Sequence, residues 1–529
     1  MLTLRGTELK QIYDIAIFGS GFAGSLMAMI AKRQGHSVVL LERGKHPRMM
    51  IGESSTPLAN LLLDQLAASY DLPAIAPLSK WGSWQRAFPQ LACGLKRGFT
   101  FYHHTLGLPD SPDPEHLRQL LVAASPRDEI ADTHWYRADF DWLLVQQAQA
   151  LGVDYIDEAR IDHFSEGEDG VTFDITREQE TYRLQARFAI DATGPRGFLH
   201  RALRLSEVPM PEYPATQALY CHFSGVSLPS TPSNRGGEAP PYPAEQAAVH
   251  HLFEGGWIWV LRFNNGITSA GVAAKGETAI RFRLSEGEPA WRRLLDSIPA
   301  LREQFTTAHA TLPFTWVPRL SFLSGRVSGR RWAMLPSAAG FIDPLLSTGF
   351  PLTLLGVSRL ATILGGAWDS ASFQSELQTY SAQTTDELLA TSRLLAALYA
   401  NMGNFRVFKA ISLMYFTAAT YSETARRLGK QSLAPSFLLH DHPHFGPACK
   451  EILAQALHLK SQQDSILLLQ DIQQAIEPFD VAGLSTPCKE GWYPAKAEDL
   501  LQSAAKVNST RREIEEMLQT CRFYDNEPQ

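Results

Sequence analysis

Gly19-Ser20-Gly21-Phe22-Ala23-Gly24 is a glycine pattern whose spacing suits a phosphate cradle. The first glycine permits a tight turn, the second lets backbone approach a pyrophosphate, and the third lets a helix pack closely on the preceding strand. The amides at the start of that helix then face the phosphates. Glu42 stands 18 residues beyond Gly24, where a carboxylate accepts from ribose hydroxyls. Ser347-Thr348-Gly349 precedes an apolar run, Phe350 to Leu364, that reads as a helix. Its first amides are a second anion site. Lys96 lies between the Gly52–Pro57 loop and an aromatic segment. A lysine there is either a solvated surface cation or, once buried, a donor or an amine of lowered pKa. Trp257 and Trp259 alternate on one strand face, where core packing is the ordinary role. The pairs His103-His104 and His250-His251 point to opposite strand faces and make poor chelates, so no metal site is expected.

These residues need particular elements around them. Tyr13 to Phe18 reads as a buried parallel strand, Gly24 to Gln34 as a helix ended by Gly35, and Ser37 to Leu41 as the second strand. Gly98 to His104 alternates as a strand, Phe140 to Leu151 reads as a helix ended by Gly152, and Phe188 to Ala192 is a short buried strand. Trp257 to Ala273 predicts a hairpin turning at Asn264-Asn265-Gly266. Ser227 to Pro243 reads as a long surface loop, and the first eleven residues as a frayed lead. From Glu376 to about Met517 helical periodicity replaces strand signals. No internal repeat is seen.

The 529 residues suffice for two or three domains or one large α/β core with a helical addition. At 45% hydrophobic residues the chain can bury a sizeable core. A net charge of −7 with interspersed signs gives no footprint for nucleic acid. Five scattered cysteines (Cys93, Cys221, Cys449, Cys488, Cys521) give neither a disulfide framework nor zinc spacing, and a cytoplasmic location is expected. Neither a signal peptide nor a transmembrane segment is expected.

Two further stretches select the dinucleotide. Asp191-Ala192-Thr193-Gly194 after an apolar strand resembles the second fingerprint of the glutathione-reductase-type FAD fold. Arg137 with Phe140 and Asp141 resembles the RxxFDxxL helix start of FAD-dependent hydroxylase-like enzymes. Arg43 follows Glu42 in the same first fingerprint. No second GxGxxG appears, so no separate NAD(P)H domain is implied.

The chain then resembles the flavin-dependent halogenases at four places. Gly52-Glu53-Ser54-Ser55-Thr56-Pro57 is similar to the family's loop beside the flavin. Lys96, with Phe101 five residues on, matches the spacing around the family's essential lysine. Trp257 to Arg262 partly matches WxWxIP, and Phe341 to Gly349 matches FxxPxxSxG. The resemblance implies an α/β chain with a glutathione-reductase-type FAD-binding fold, an inserted mixed β-sheet substrate domain and a helical C-terminal region. Residues 12–375 would form the FAD module (about 12–70, 120–205 and 325–375) with the insert at about 75–120 and 205–325. Residues 376–529 would be the helical region.

By the same resemblance Gly19, Gly21, Phe22, Ala23, Gly24, Glu42, Arg43, Ser54, Arg137, Asp191, Gly194, Asp343 and Gly349 would hold FAD. Thr348 and Gly349 would hold chloride or bromide. FADH2 from a separate flavin reductase would, with O2, turn halide into hypohalous acid. Lys96 would pass the halogen to an electron-rich aromatic molecule, free or carried by an acyl carrier protein. Glu53 would accept a proton or anchor the flavin loop, and Phe101, Trp257 and Trp259 would line the substrate pocket. Two departures matter. Arg262 replaces the motif's proline, which favours an alternative, a flavin monooxygenase or dehydrogenase without halogenation. Leu346 replaces the glutamate of tryptophan halogenases, which turns the expected substrate toward a phenol or pyrrole. A third reading is a non-catalytic flavin- or lipid-binding module. In it the apolar run Leu394 to Thr420 is a lid, a dimer face or a peripheral membrane patch, as against ordinary core.

Overall fold

The structure, a computed structural model, describes residues 2–4, 7–9, 12–109, 113, 115–229, 239–366, 368, 370–486 and 491–524. Cys488 and most of the Ser227–Pro243 loop lie partly or wholly outside the described residues. The other four cysteines are free. Of the expected frayed lead, Leu2–Leu4 and Thr7–Leu9 form a small antiparallel pair.

Two large sheets carry the architecture. In the first, Trp332–Met334, Glu180–Asp191, Ile12–Phe18, Val38–Leu41 and Asp154–Ile156 run parallel in that order. Their apolar runs are buried on both faces, which is why they read as continuous rather than alternating. The expected short strand at 188–192 is the end of a longer one. Its first half leaves the parallel core and pairs antiparallel with Val171–Arg177, which pairs with Arg160–Glu166.

The second sheet orders Thr216–Ser224, Ile267–Lys275, Gly256–Arg262, Ala248–Phe253, Gly98–His103 and Gln119–Ala123. The hairpin at Asn264-Asn265-Gly266 is present, with Gly266 left-handed at φ 80°. Gln119–Ala123, assigned to the first module by a boundary near 120, lies in this second sheet. So does Trp492–Tyr493, a two-residue strand from the helical C-terminal region.

A third, small ladder lies between the two. Cys93–Lys96 pairs antiparallel with Asp132–Trp135. Behind it, Trp135 stacks between Phe140 and Phe350, with centroids 4.2 and 4.3 Å away. Phe22 packs on both Trp135 and Phe350. One aromatic cluster thus joins the helix after the glycine turn, the Arg137 helix, the small ladder and the helix after Gly349.

The helices Ala371–Ala400 and Phe405–Arg427 close the molecule. Leu395, Leu398, Phe408, Ile411 and Met414 are buried in the main core. The apolar run Leu394 to Thr420 is therefore core, and its side chains are not a face for a lid, dimer or membrane. Leu345–Leu364, which contains the apolar run from Phe350, is long and apolar enough to cross a bilayer by length and composition. Its most apolar window is 72% buried inside the fold.

Candidate active site

The glycine turn is built by backbone contact. Gly19 is left-handed at φ 95°, and a Cβ there would fall 2.6 Å from the Ala192 carbonyl oxygen. A Cβ on Gly24 would lie 1.9 Å from the Gly19 oxygen. The two FAD fingerprints therefore touch each other, and only glycine fits the contact. Gly21 caps the Phe22–Arg33 helix, of which Phe22 and Ala23 form the buried first turn. A Cβ on Gly21 would meet the Arg137 guanidinium at 3.5 Å. Arg137 is held by Asp141 through two bonds of 2.7 and 2.8 Å, and donates to the Gly52 carbonyl at 2.8 Å. A fixed cation beside a helix N-terminus suits a pyrophosphate.

At the ribose end, Glu42 Oε2 accepts from Ser20 N at 3.1 Å and Ser20 Oγ at 2.9 Å, and pairs with Arg48 at 2.8 Å. Burial alone would raise this carboxyl, but the Arg48 charge and the amide donors outweigh it and hold it at about 2. Oε1 accepts from Gly44 N at 2.9 Å and keeps a lone pair for a hydroxyl. Arg43, expected beside the cofactor, is exposed, and the arginine on Glu42 is Arg48. Gly194 is left-handed with open space around it. Asp191 is buried and accepts from Thr193 N, Thr193 Oγ1 and Leu199 N. Burial raises its pKa. It shapes the turn after its strand.

The Gly52–Pro57 loop joins this end to the lysine. Gly52 is left-handed, beside Arg137 and Phe350. Glu53 O accepts from Trp135 N, and Ser55 N donates to Thr133 O, so the loop is strapped to the small ladder. Ser54, expected at the flavin, places its hydroxyl 2.9 Å from Lys96 Nζ. Lys96 also donates to the Ser55 carbonyl and lies 3.8 Å from the Phe99 ring centroid. It is 0% exposed. Burial lowers its pKa to about 7, with Asp132 opposing the fall. The ring on the lysine is Phe99. Phe101, expected to line the substrate pocket, stacks on His250 at 4.5 Å and packs against Phe408 and Phe416.

Glu53 is buried, and its Oε1 meets His222 Nε2 at 2.6 Å. Its Oε2 is buried with no hydrogen-bond partner. No motif marks His222, which sits on the second sheet 169 residues away.

The turn before Gly349 is strained: Leu346 and Ser347 are both left-handed, at φ 65° and 55°. Tyr415 holds it by donating to the Leu346 carbonyl at 2.8 Å. Thr348 is buried, and Gly349 opens a 16-residue helix with nothing within 4 Å of a Cβ placed there. That open space at a helix start fits an anion or a flavin edge. Asp343 was expected at the cofactor. Its two oxygens accept from Trp257 Nε1 (3.3 Å), Leu345 N (3.0 Å), Tyr213 OH (2.9 Å) and Tyr399 OH (2.8 Å). Four donors saturate a carboxylate, so Asp343 anchors the turn and has no acceptor left for a flavin hydroxyl. Burial raises its pKa to about 6 despite those donors.

Trp259 lies against Gly271, where a Cβ would fall 2.4 Å from its ring, and donates to Ser269 Oγ at 3.3 Å. Arg262 is not turned into the site as a free charge. It pairs with Glu245 at 3.1 Å and donates to Gln304 and to the carbonyls of Val226 and Ser227. His104 Nε2 and His251 Nδ1 meet at 2.9 Å across strands. Among the described residues no group of three or more His, Cys, Asp or Glu gathers to hold a metal.

Comparison with known proteins agrees with this geometry. The tryptophan halogenase family model matches residues 132–404. That span includes Arg137, Asp191, Trp257, Asp343 and Gly349, and leaves out Gly19 to Gly24 and Lys96. The monodechloroaminopyrrolnitrin halogenase PrnC of Pseudomonas fluorescens is 29% identical over 410 residues, 76% of this chain and 70% of that protein. The tetracycline 7-halogenase of Kitasatospora aureofaciens is 29% identical over 387 residues, 71% and 68% respectively. The structure of halogenase PltM with phloroglucinol and FAD superposes with a TM-score of 0.72 at 25% identity, covering 97% of this chain and 99% of that one. Another structure of halogenase PltM gives 0.81 at 24% identity, over 91% and 99%, and shows the shared fold. With the family matched over half its length, on the turns and helices just described, the chain belongs to the flavin-dependent, tryptophan-halogenase family of oxidoreductase enzymes.

Proposed function

We propose that this chain is an FADH2- and O2-dependent halogenase that forms hypohalous acid and passes its halogen through Lys96 to an electron-rich aromatic, with a separate flavin reductase supplying FADH2. The observation that carries this reading is the Gly52–Pro57 loop. One segment holds the Arg137 guanidinium beside the glycine turn and also holds Lys96 Nζ in a buried, aromatic-walled position. Bound FADH2 would supply two of the four electrons that reduce O2, and chloride or bromide the other two, leaving hypohalous acid and water.

The chain's own residues do the rest. Gly19 to Gly24 and Arg137 bind the pyrophosphate, and Glu42 orients the ribose. The amides at Thr348 and Gly349 attract the halide. Lys96, with its pKa brought to about 7 by burial, is present as both ammonium and amine near neutral pH. The first donates a hydrogen bond to the oxidant and the second accepts halogen from it.

A phenol or pyrrole, free or carrier-bound, is the favoured substrate. Leu346 brings no carboxylate to the turn. The relatives include carrier-bound pyrrole-2-carbonyl brominase and chlorinase enzymes of Pseudoalteromonas luteoviolacea and Pseudomonas fluorescens. Halogenase PltM has been seen with the phenol phloroglucinol. The monooxygenase alternative drew its support from Arg262, whose charge is occupied by Glu245 and Gln304.

The test supplies the chain with a flavin reductase, NADH, FAD, O2, bromide or chloride, and a panel of phenols and free or carrier-bound pyrroles. Halogenated product is expected, and hydroxylated product without halogen would overturn the reading.

A further inference from the structure

We propose that His134 holds the oxidant against Lys96, its Nδ1 lone pair accepting the hydrogen of hypohalous acid while the Lys96 ammonium donates to the oxygen. This rests on the halogenase reading above. The placement follows from the small ladder. Asp132–Trp135 is its middle strand. Cys93–Lys96 pairs along one edge, with Gly94 opposite His134 and Lys96 opposite Asp132, and Ser54 bridges His134 from the other edge. Directly opposed antiparallel residues share a face, and so do residues two apart on one strand. Asp132, His134, Lys96 and Ser54 therefore present their side chains on one face. Lys96 Nζ is 2.9 Å from Ser54 Oγ, so the lysine crosses the middle strand on the diagonal between Asp132 and His134. Asp132 stands opposite the root of the lysine. His134 stands opposite Ser54, where its tip ends.

The imidazole is fixed in one tautomer. His134 is 1% exposed. Its Nε2 lies 3.2 Å from the Ala247 carbonyl. A carbonyl only accepts, so Nε2 carries the proton and Nδ1 is a bare lone pair. Burial first and the Lys96 charge second push its pKa down to about 3, so the ring stays neutral. The Cδ2 edge of the ring lies over Gly94, where a Cβ would fall 2.9 Å from it. The opposite edge, with Nδ1, therefore turns toward Ser54 and the tip of the lysine. Nδ1 is buried and has no hydrogen-bond partner among the described residues. Of the three ammonium hydrogens of Lys96, two find acceptors, at Ser54 Oγ and Ser55 O. A bare acceptor and a spare donor beside one another suit a small guest that offers both an O–H and a lone pair. Water suits the idle site. Hypohalous acid offers the same two functions and one halogen atom more. Leu346 brings no acceptor side chain from the halide turn.

The chemistry balances with no change of protonation at His134. The aromatic ring attacks the halogen of the held oxidant, the C–X bond forms, and the O–X pair stays on oxygen. That hydroxide takes the proton that Lys96 was donating and leaves as water. The ring proton then returns to the Lys96 amine, so ArH and HOX give ArX and H2O. His134 fixes the oxygen end of the oxidant and so decides where its halogen points.

The test compares His134→Gln with His134→Asn in the FAD-loaded chain. A glutamine amide reaches toward the Ala247 carbonyl and leaves the place of Nδ1 without an acceptor. An asparagine oxygen takes the place of Nδ1 and leaves Ala247 unpaired. Each variant is supplied with a flavin reductase, NADH, O2, bromide, a phenol substrate and a soluble phenol trap for escaped hypobromous acid. In His134→Gln the ratio of brominated substrate to brominated trap should fall about tenfold, the effect of one lost hydrogen bond. Total bromine transferred and FAD affinity should stay unchanged. His134→Asn should restore most of the ratio. A purely structural histidine predicts the reverse order, and one that holds only a water predicts no change in the ratio. Either result overturns the proposal. In 15N spectra of the histidine-labelled chain, with the His134 signals assigned by their loss in His134→Asn, Nε2 should carry a proton and Nδ1 none. A protonated Nδ1 also overturns it. A wild-type chain that brominates neither substrate nor trap defeats the halogenase reading, and this proposal with it.

Discussion

Glu53 and His222 meet at 2.6 Å in the interior, joining the loop that carries Lys96's acceptors to the second sheet. A buried carboxylate with one oxygen on a histidine and the other unbonded depends on that single contact. His222→Ala leaves the group stranded and should cost about 3 kcal/mol. Glu53→Gln keeps a hydrogen bond and should cost less. Chemical denaturation of the flavin-free chain measures both, and equal losses would count against the pairing.

Two glycines separate fold from chemistry. Gly24→Ala would put a methyl 1.9 Å from the Gly19 oxygen. It should destabilise the flavin-free chain by about 1–3 kcal/mol and abolish FAD retention. Gly349→Ala meets nothing within 4 Å. Its flavin-free stability should stay within about 0.5 kcal/mol of wild type, while halide-dependent turnover drops. Thermal unfolding and flavin absorbance after gel filtration read the two effects apart.

Asp343 predicts a pH signature. Its pKa rises from an ordinary 3.8 to about 6, because burial outweighs its four donors. A raised folded pKa contributes stability that is full below about 4 and lost as pH climbs through about 6. Wild type should therefore lose on the order of 3 kcal/mol relative to Asp343→Asn across that window. Unfolding midpoints of both proteins from pH 4 to 7 show it, and parallel curves would contradict it.

Arg262 holds loop carbonyls and the half-buried Glu245. Arg262→Ala should lower stability by about 1–3 kcal/mol and leave the ratio of halogenated to hydroxylated product unchanged. Mass spectrometry of the products would expose the opposite result.

The parts of this site that work through backbone and near neighbours were legible in the sequence. The glycine turn, Glu42, Arg137 with Asp141, and the hairpin at Gly266 all act within a few residues of their own chain. The partners that arrive from afar were not. Tyr213 and Tyr399 reach Asp343 from 130 and 56 residues away. Asp132 is set opposite Lys96 by a ladder of four residues per strand, too short to show a period. Arg48 displaced Arg43 because the chain turns after Glu42. Phe99, two residues before Phe101 on the same strand, carries the lysine contact. The apolar run Leu394 to Thr420 read equally as core or as surface patch, and only packing against the rest of the chain decided it.

The central claim is that Lys96 transfers halogen while the residues from Gly19 to Glu42 and Arg137 hold the flavin. The direct measurement is halogenated product formed by Lys96→Ala, with FAD affinity determined on the same preparation and a soluble phenol trap present for escaping hypohalous acid. The account predicts wild-type FAD affinity, halogenated trap, and substrate halogenation reduced at least about a hundredfold. Substrate halogenation at the wild-type rate would contradict it.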